Sequence, residues 1–430
     1  MKPYGDMSCE ELAGEKKLLD AAFAKLKAKG LSLNMARGKP CARQLDLSMP
    51  MLDEVNSQNS CTAEGGIDCR NYGELTGIPE AKKLFSDYMG VSPQEIIIAG
   101  SASLNFMYDC VARAMLQGVL GSGRPWVAEE KVRFLCPVPG YDRHFAICQF
   151  LGIEMINIPT GSEGPDMDMI EDLVARDPLI KGMWCVPKFS NPLGLTYSDK
   201  TVRRLASLKP AAKDFRIFCD NAYAVHKIYK DEELLNPLDA CRESGNPDII
   251  YLFGSTNKIT FPGSGIAFMA ASKENIAFVS KQLSMHSIGP DKINMLRHVR
   301  FLKNIDNIHA LMQKHADILR PKFDAVLARL ENDIGGLGIA SWVKPNGGYF
   351  VTFISQKGCA KRIVQLCKEA GIAMTEAGAT HPYGKDPDDS YIRIAPSFPP
   401  PAELDAAMEI FCVAVKLASL EKVLGKGFSR

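Results

Sequence analysis

Long apolar runs are missing from this 430-residue chain, and none approaches the ~20 consecutive residues that a membrane helix needs. Met1 to Glu11 is polar and acidic and lacks the apolar core of a secretory signal. A soluble, cytoplasmic protein is expected. An excess of either charge is missing too: the formal net charge is +1, which argues against a nucleic-acid partner or an anionic membrane surface. The 13 cysteines include no Cys-x-x-Cys pair, and an odd count cannot pair off within one chain. Reduced thiols are therefore expected. The 7 histidines show neither His-Glu-x-x-His nor paired Cys/His spacing, so no metal site is expected. Gly118 to Gly123 is glycine-rich without the spacing of a dinucleotide-binding turn. Small-molecule chemistry fits what remains.

The chain does hold enough apolar residues, 46%, for sizeable cores, and its length exceeds the usual single core, so two domains are expected. Apolar spacing over Glu10 to Lys29 predicts an N-terminal helix stopped by Gly30. Strand-like runs then alternate with helical ones: Ile96–Ala99, Val132–Cys136, Met155–Ile158, Gly182–Val186, Ile217–Cys219, Ile249–Phe253 and Ile266–Ala270. That alternation predicts an α/β fold with a mostly parallel sheet covered by helices on both faces. Residues from about Ile293 to Arg329 read as one long helix, and Ser341–Val343, Tyr349–Phe353 and Tyr391–Ile394 read as strands of a smaller domain. The expected division is 1–67 as an N-terminal helix and loop packing with the small domain, 68–295 as the large domain, and 296–430 as the small C-terminal domain.

Residues with chemistry to offer fall just past the predicted strands, where open α/β sheets place their ligands. Phe253-Gly254-Ser255-Thr256-Asn257-Lys258 runs from a strand into a turn that presents a lysine. Desolvation can make such an amine neutral and able to condense with an aldehyde as a Schiff base. Asp220 and Tyr223 follow another strand, and Ser190-Asn191-Pro192-Leu193-Gly194 follows a third. Singly, a lysine after a strand is a solvated loop residue, an aspartate at a strand end is a cap, and Asn-Pro-x-Gly is a turn. Their joint order carries the signal.

That order, Asn191, then Asp220 and Tyr223, then Ser255-x-x-Lys258, resembles the fold-type I enzymes that use pyridoxal 5'-phosphate (PLP), in particular the aminotransferases. The resemblance implies that Lys258 carries the cofactor, that Asp220 keeps its ring nitrogen protonated, that Tyr223 and Asn191 bind its phenolate oxygen, and that Ser255 takes a phosphate oxygen. Further matches run along nearly the whole chain. Arg37-Gly38-Lys39-Pro40 matches a loop that closes over substrate, with Gly38 allowing close backbone approach. Tyr72, in Tyr-x-x-x-x-Gly77-x-Pro79, matches a tyrosine that reaches the phosphate of the partner subunit's cofactor, which implies a homodimer with shared active sites. Ser101, Ala102 and Ser103 sit where a strand runs into a helix start, a setting suited to a phosphate. Tyr141 matches the aromatic residue stacked on the ring, and His144 the histidine that supports the ring-binding aspartate. Tyr391-Ile392-Arg393 matches the strand whose arginine clamps the substrate α-carboxylate with two parallel donors.

One position departs from the family pattern: eight residues beyond Lys258, where most members have an arginine for the phosphate, this chain has Ile266. With Asp68 to Gly73 and Ser287 to Lys292, the departure resembles a divergent aspartate aminotransferase subgroup, Ic. The implied activity is ping-pong transfer of an amino group from an acidic amino acid to a 2-oxo acid. The second carboxylate of such a substrate needs a cation, for which Arg143 is expected, with Lys292 and Arg37 as alternatives. A PLP-dependent lyase on the same scaffold stays open, because fold and cofactor do not fix the reaction. A ligand-sensing regulator is disfavoured, since no basic helix pair precedes the loop at Arg37.

Overall fold

The computed structural model describes residues 2–427. Seven apolar runs form the strands Ile96–Ile98 (β1), Arg133–Val138 (β2), Glu154–Pro159 (β3), Ile180–Cys185 (β4), Arg216–Asp220 (β5), Ile250–Ser255 (β6) and Ala267–Ala270 (β7). They make one sheet in the order β1-β7-β6-β5-β4-β2-β3. Only β7 runs against the rest, between β1 and β6; the other neighbours pair in parallel. Both faces are covered, which is why the strands read as continuous apolar runs rather than alternating ones. On β5, Ile217 and Cys219 enter one core while Phe218 enters the other, as the two-residue period of a strand requires. This is the α/β architecture expected from the sequence, with seven strands in a mostly parallel sheet.

A third core lies beyond the sheet. The strands Ala340–Trp342, Val351–Ser355 and Tyr391–Ile394 form a small antiparallel sheet, backed by the helices Ile305–Asp333, Ala360–Glu369 and Pro401–Gly427. The N-terminal helix Cys9–Ala28 packs here as well, through Leu12, Leu19 and Leu26. Its start is fixed by a capping box in which the Ser8 hydroxyl accepts from Glu11 N and Glu11 accepts from Ser8 N. Leu33–Asn34 then adds in parallel to Ile372–Ala373, so the following residues, 36–40, start from the small sheet's side.

The long helix expected from Ile293 to Arg329 is two helices, Lys292–Leu302 and Ile305–Asp333. Lys303 adopts φ +60° and the Asn304 side chain accepts from Asn307 N. Apolar periodicity continues across the break, but an asparagine that caps a new first turn overrides it. Among the described residues, no helix is long and apolar enough to cross a membrane, and no group of three or more His, Cys, Asp or Glu side chains is placed to hold a metal ion. All cysteines but Cys9 and Cys61 are buried.

Candidate active site

The carboxyl ends of β1, β2, β4, β5 and β6 all open on one edge of the large sheet, and the loops leaving them carry the reactive side chains. Asp220 is the last residue of β5 and is buried. Its Oδ2 lies 3.3 Å from His144 Nε2 without the alignment of a hydrogen bond, and its Oδ1 has no partner among the described residues. His144 is not a solvated loop residue: it stacks on Trp184 at 4.4 Å between ring centres and meets the Tyr141 ring edge-on at 5.0 Å. Trp184 in turn donates from Nε1 to Cys148 Sγ at 3.1 Å. A buried carboxylate with one oxygen unpaired is expensive. It fits a cationic donor such as a protonated pyridine nitrogen, which would complete that oxygen.

Lys258 follows β6 and is half-buried, its accessible part facing the cavity that it lines. Protein packed around the amine lowers its pKa, against a smaller opposing pull from Asp220. Nζ lies 4.7 Å from the centre of the Tyr223 ring. The lysine backbone is anchored from below: its carbonyl oxygen faces His226 Nε2 at 3.3 Å and accepts from Tyr349 Oη at 3.4 Å. Tyr349 Oη and His315 Nδ1 both contact Gln44 Nε2. Burial raises the pKa of Tyr223, and burial followed by the Asp220 charge pushes Tyr141 up to about 12, so both phenols remain protonated donors.

Beyond β1, Gly100 turns the chain at φ +72°, and the helix Ser103–Gln117 begins after Ala102 with no side-chain cap. Its first-turn N–H groups, with the hydroxyls of Ser101 and Ser103, suit a phosphate. The loop after Lys258 lies directly on this turn, since a Cβ at Gly265 would come within 2.8 Å of Ser101 O and 2.5 Å of Asn257 Oδ1. Ser255 is buried at the end of β6. Ile266, at the position of the absent arginine, is buried in a core cluster, and its N–H donates to Thr256 Oγ1 at 2.9 Å. A cation reaches the same loop from elsewhere: Arg297 contacts Ser264 Oγ and donates from Nε to Asn294 Oδ1 at 2.9 Å. Ser101, Ser264, Gly265 and Asn294 share the lining of a cavity of 640 Å³.

A second cavity, of 440 Å³, holds Tyr141, Asn191, Asp220, Tyr223 and Lys258 at its base and Arg37, Gly38, Lys39, Asp142, Arg143, Thr375 and Arg393 around them. Gly38 is a requirement of space: a Cβ there would sit 2.5 Å from Phe350 Cζ. Arg393, on the strand Tyr391–Ile394, lies with its guanidinium carbon 4.7 Å from the Phe350 ring centre. It donates from Nη1 to Asn191 Oδ1 at 3.1 Å and to Asp142 Oδ1 at 3.0 Å.

Two residues named from the sequence lie elsewhere in this chain. Tyr72 is 81% exposed and does not line the Lys258 cavity. Lys292 is buried, and its amine donates to the carbonyl oxygens of Asn71 and Gly73. It fastens the loop of Tyr72 and is withdrawn from the role of reading a second carboxylate. Sequence reasoning missed Trp184, Thr375, His226 and Asp142. Trp184 and Thr375 carried no motif. Asp142 lies in the first turn of the helix Asp142–Phe150, a common place for an acidic residue that marks nothing by itself.

The family model described as aspartate amino-transferase matches residues 7–427. An aspartate aminotransferase of Corynebacterium glutamicum is 41% identical over 400 residues, which cover 93% of this chain and 92% of that one. A protein of Mycolicibacterium smegmatis provisionally named an aminotransferase is 46% identical over 426 residues, 98% of this chain and 99% of its own. The crystal structure of an aspartate transaminase from C. glutamicum superposes with a TM-score of 0.94 at 40% identity, covering 97% of this chain and 98% of that one.

Proposed function

The chain belongs to the aspartate amino-transferase family, whose members use PLP, and from that premise we propose that it moves the amino group of aspartate or glutamate to a 2-oxo acid such as 2-oxoglutarate. The observation that carries this reading is the charge around the Lys258 cavity. Arg37, Lys39, Arg143 and Arg393 line it, opposed only by Asp142 and the deeper Asp220. A substrate with two carboxylates matches that excess, and a neutral amino acid does not.

When bound, PLP supplies an aldehyde for the substrate amine and a protonated ring that accepts the electrons of the broken Cα–H bond. The residues that would hold it are Asp220 at the ring nitrogen, Tyr223 and Asn191 at the phenolate oxygen, Tyr141 against the ring face, and Ser101, Ala102, Ser103 and Ser255 at the phosphate. Arg297, through the loop of Ser264, is the candidate to replace the absent arginine. The Arg393 guanidinium binds the α-carboxylate and so orients Cα. Lys258 Nζ, whose pKa burial lowers, takes the Cα proton. His144, wedged between Trp184 and Asp220, holds the carboxylate in place and shields it from water. Both half-reactions use the same groups in turn, so initial-rate kinetics are ping-pong.

The test is product analysis of the PLP-loaded enzyme with aspartate, glutamate and uncharged amino acids against 2-oxoglutarate or oxaloacetate. Transfer with the side chain retained, strongest for the acidic pair, supports the reading; release of ammonia with loss of the side chain marks a lyase and overturns it. The exposed Tyr72, with Met285 and Ile288 also exposed, supports a homodimer in which Tyr72 serves the partner's site. A fully active monomer by light scattering refutes that arrangement. Hybrid dimers of Lys258→Ala with Tyr72→Phe subunits should regain one site, because the Lys258-bearing site then receives an intact Tyr72 from its partner.

A further inference from the structure

Asp142 has no part in the chemistry above, yet it stands between the two arginines proposed to read the substrate's carboxylates. Its Oδ1 accepts from Arg393 Nη1 at 3.0 Å, and its Oδ2 lies 4.0 Å from Arg143 Nε. Arg393 is nearly buried and Asp142 about one-third exposed, so the pair sits where water screens it only in part. The rest of the Arg393 guanidinium is poorly satisfied: Nη2 reaches Thr375 Oγ1 only at 3.4 Å, and Nε is buried without a partner. A guanidinium binds a carboxylate best through two parallel N–H donors, and here an internal carboxylate already holds one nitrogen. The contact also spans the cleft, from the helix after β2 to the small sheet. Thr375 extends it further, donating to Ala36 O at 2.7 Å at the root of the loop that carries Gly38.

We infer that Asp142 is a built-in competitor for the carboxylate clamp, which neutralises Arg393 in the free enzyme and opposes every carboxylate that enters. The inference rests on the reading of Arg393 as the α-carboxylate clamp. An incoming carboxylate displaces Asp142 from Nη1 or binds beside it against like-charge repulsion, which is costly at close range. Either way, Asp142 limits the affinity of dicarboxylates that occupy the site without reacting.

The experiment measures the dissociation constant of succinate, an unreactive dicarboxylate, for the PLP-loaded wild type and for Asp142→Asn and Asp142→Ser, by calorimetry at fixed ionic strength. Removing the competing charge should tighten succinate about tenfold in both variants. The gain should vanish when Arg393→Gln is added, because the competition is for that guanidinium. A residue that merely supports the fold or aligns Arg393 would give weaker binding when changed, so unchanged or weaker succinate binding in either folded variant overturns the inference. A gain that survives Arg393→Gln overturns it as well. Transamination by the wild type is scored separately: its absence would sink the proposed function without touching the succinate comparison.

Discussion

The base of the Lys258 cavity and its rim are built on opposite principles. At the base, Asp220, His144, Trp184 and Tyr223 are nearly inaccessible, held by ring stacking and by strands whose neighbours are fixed on both sides. At the rim, Arg37 and Lys39 are exposed, and the Arg143 side chain is 55% exposed, with an ion-pair contact to Asp142 at 4.0 Å. The base gains strength from desolvation: burial lowers the Lys258 pKa, and one Asp220 oxygen is left without a partner among the described residues, for a bound cation to complete. The rim gains reach instead. Charges left in water attract an anionic substrate and let it go again, and each contributes little. In the proposed function, reaction type is set where the protein is dry, and substrate preference where it is wet.

The sharpest way to break this contrast is at the lysine. Lys258→Ala should lose about 10⁴-fold or more in kcat, since in the proposed reaction one group serves as both the covalent anchor and the base. Borohydride reduction of the wild type should fix PLP to the Lys258 peptide by mass spectrometry. A label on another lysine would remove Lys258 from the centre of the base. Asp220→Ala should retain measurable PLP binding but lose about 10³-fold in kcat, the scale of one preorganised electrostatic partner in a dry site. Undiminished turnover would mean that the unpaired Oδ1 serves no reacting group.

Acid should probe the buried histidines behind the base without mutation. Burial holds His226 at a pKa of about 3 and His298 and His315 at about 4, whereas an unfolded histidine titrates near 6.5. Because the folded values are depressed, the unfolded chain takes up these protons first. Stability is therefore full above pH 6.5 and falls as pH drops toward 4, by about 1.4 kcal/mol per pH unit per histidine. Urea midpoints measured from pH 7 to 5 check the slope, which His315→Gln should reduce. A flat profile would show that these histidines are not kept neutral by the fold. The smallest effect belongs to the rim. Arg143→Met should lower kcat/KM for aspartate and glutamate about five- to tenfold, spare uncharged amino acids, and have less effect at high salt. Equal losses for both substrate classes would make Arg143 structural.

The same contrast governs what could be read from the sequence. All seven strands of the large sheet were legible, because burial on both faces writes each as an unbroken apolar run. Lys258, Asp220, Tyr223, Asn191 and Tyr141 were legible as short motifs just past strand ends, and the fold brings them into one cavity. What depended on distant partners was not. The contact of Asp142 with Arg393 joins residues 251 positions apart, and nothing local marks it. Lys292 looked like a free cation until its burial beneath Asn71 and Gly73 showed otherwise. The break at Lys303 escaped because Asn304 continues a helical pattern on paper while capping the next helix in space.

The union of the N-terminal helix with the helix Pro401–Gly427 has a consequence for how the chain is made. Leu12, Leu19 and Leu26 leave the ribosome long before the helix that covers them. At about 5–20 residues per second, close to 400 further residues take roughly 20–80 s to appear. Throughout that interval the large sheet can assemble while an amphipathic helix waits beside it with its apolar stripe uncovered. An apolar stripe left open for that long is a surface that a holdase chaperone can cover. Moving Cys9–Ala28 to follow the last helix by circular permutation would shorten that wait to seconds.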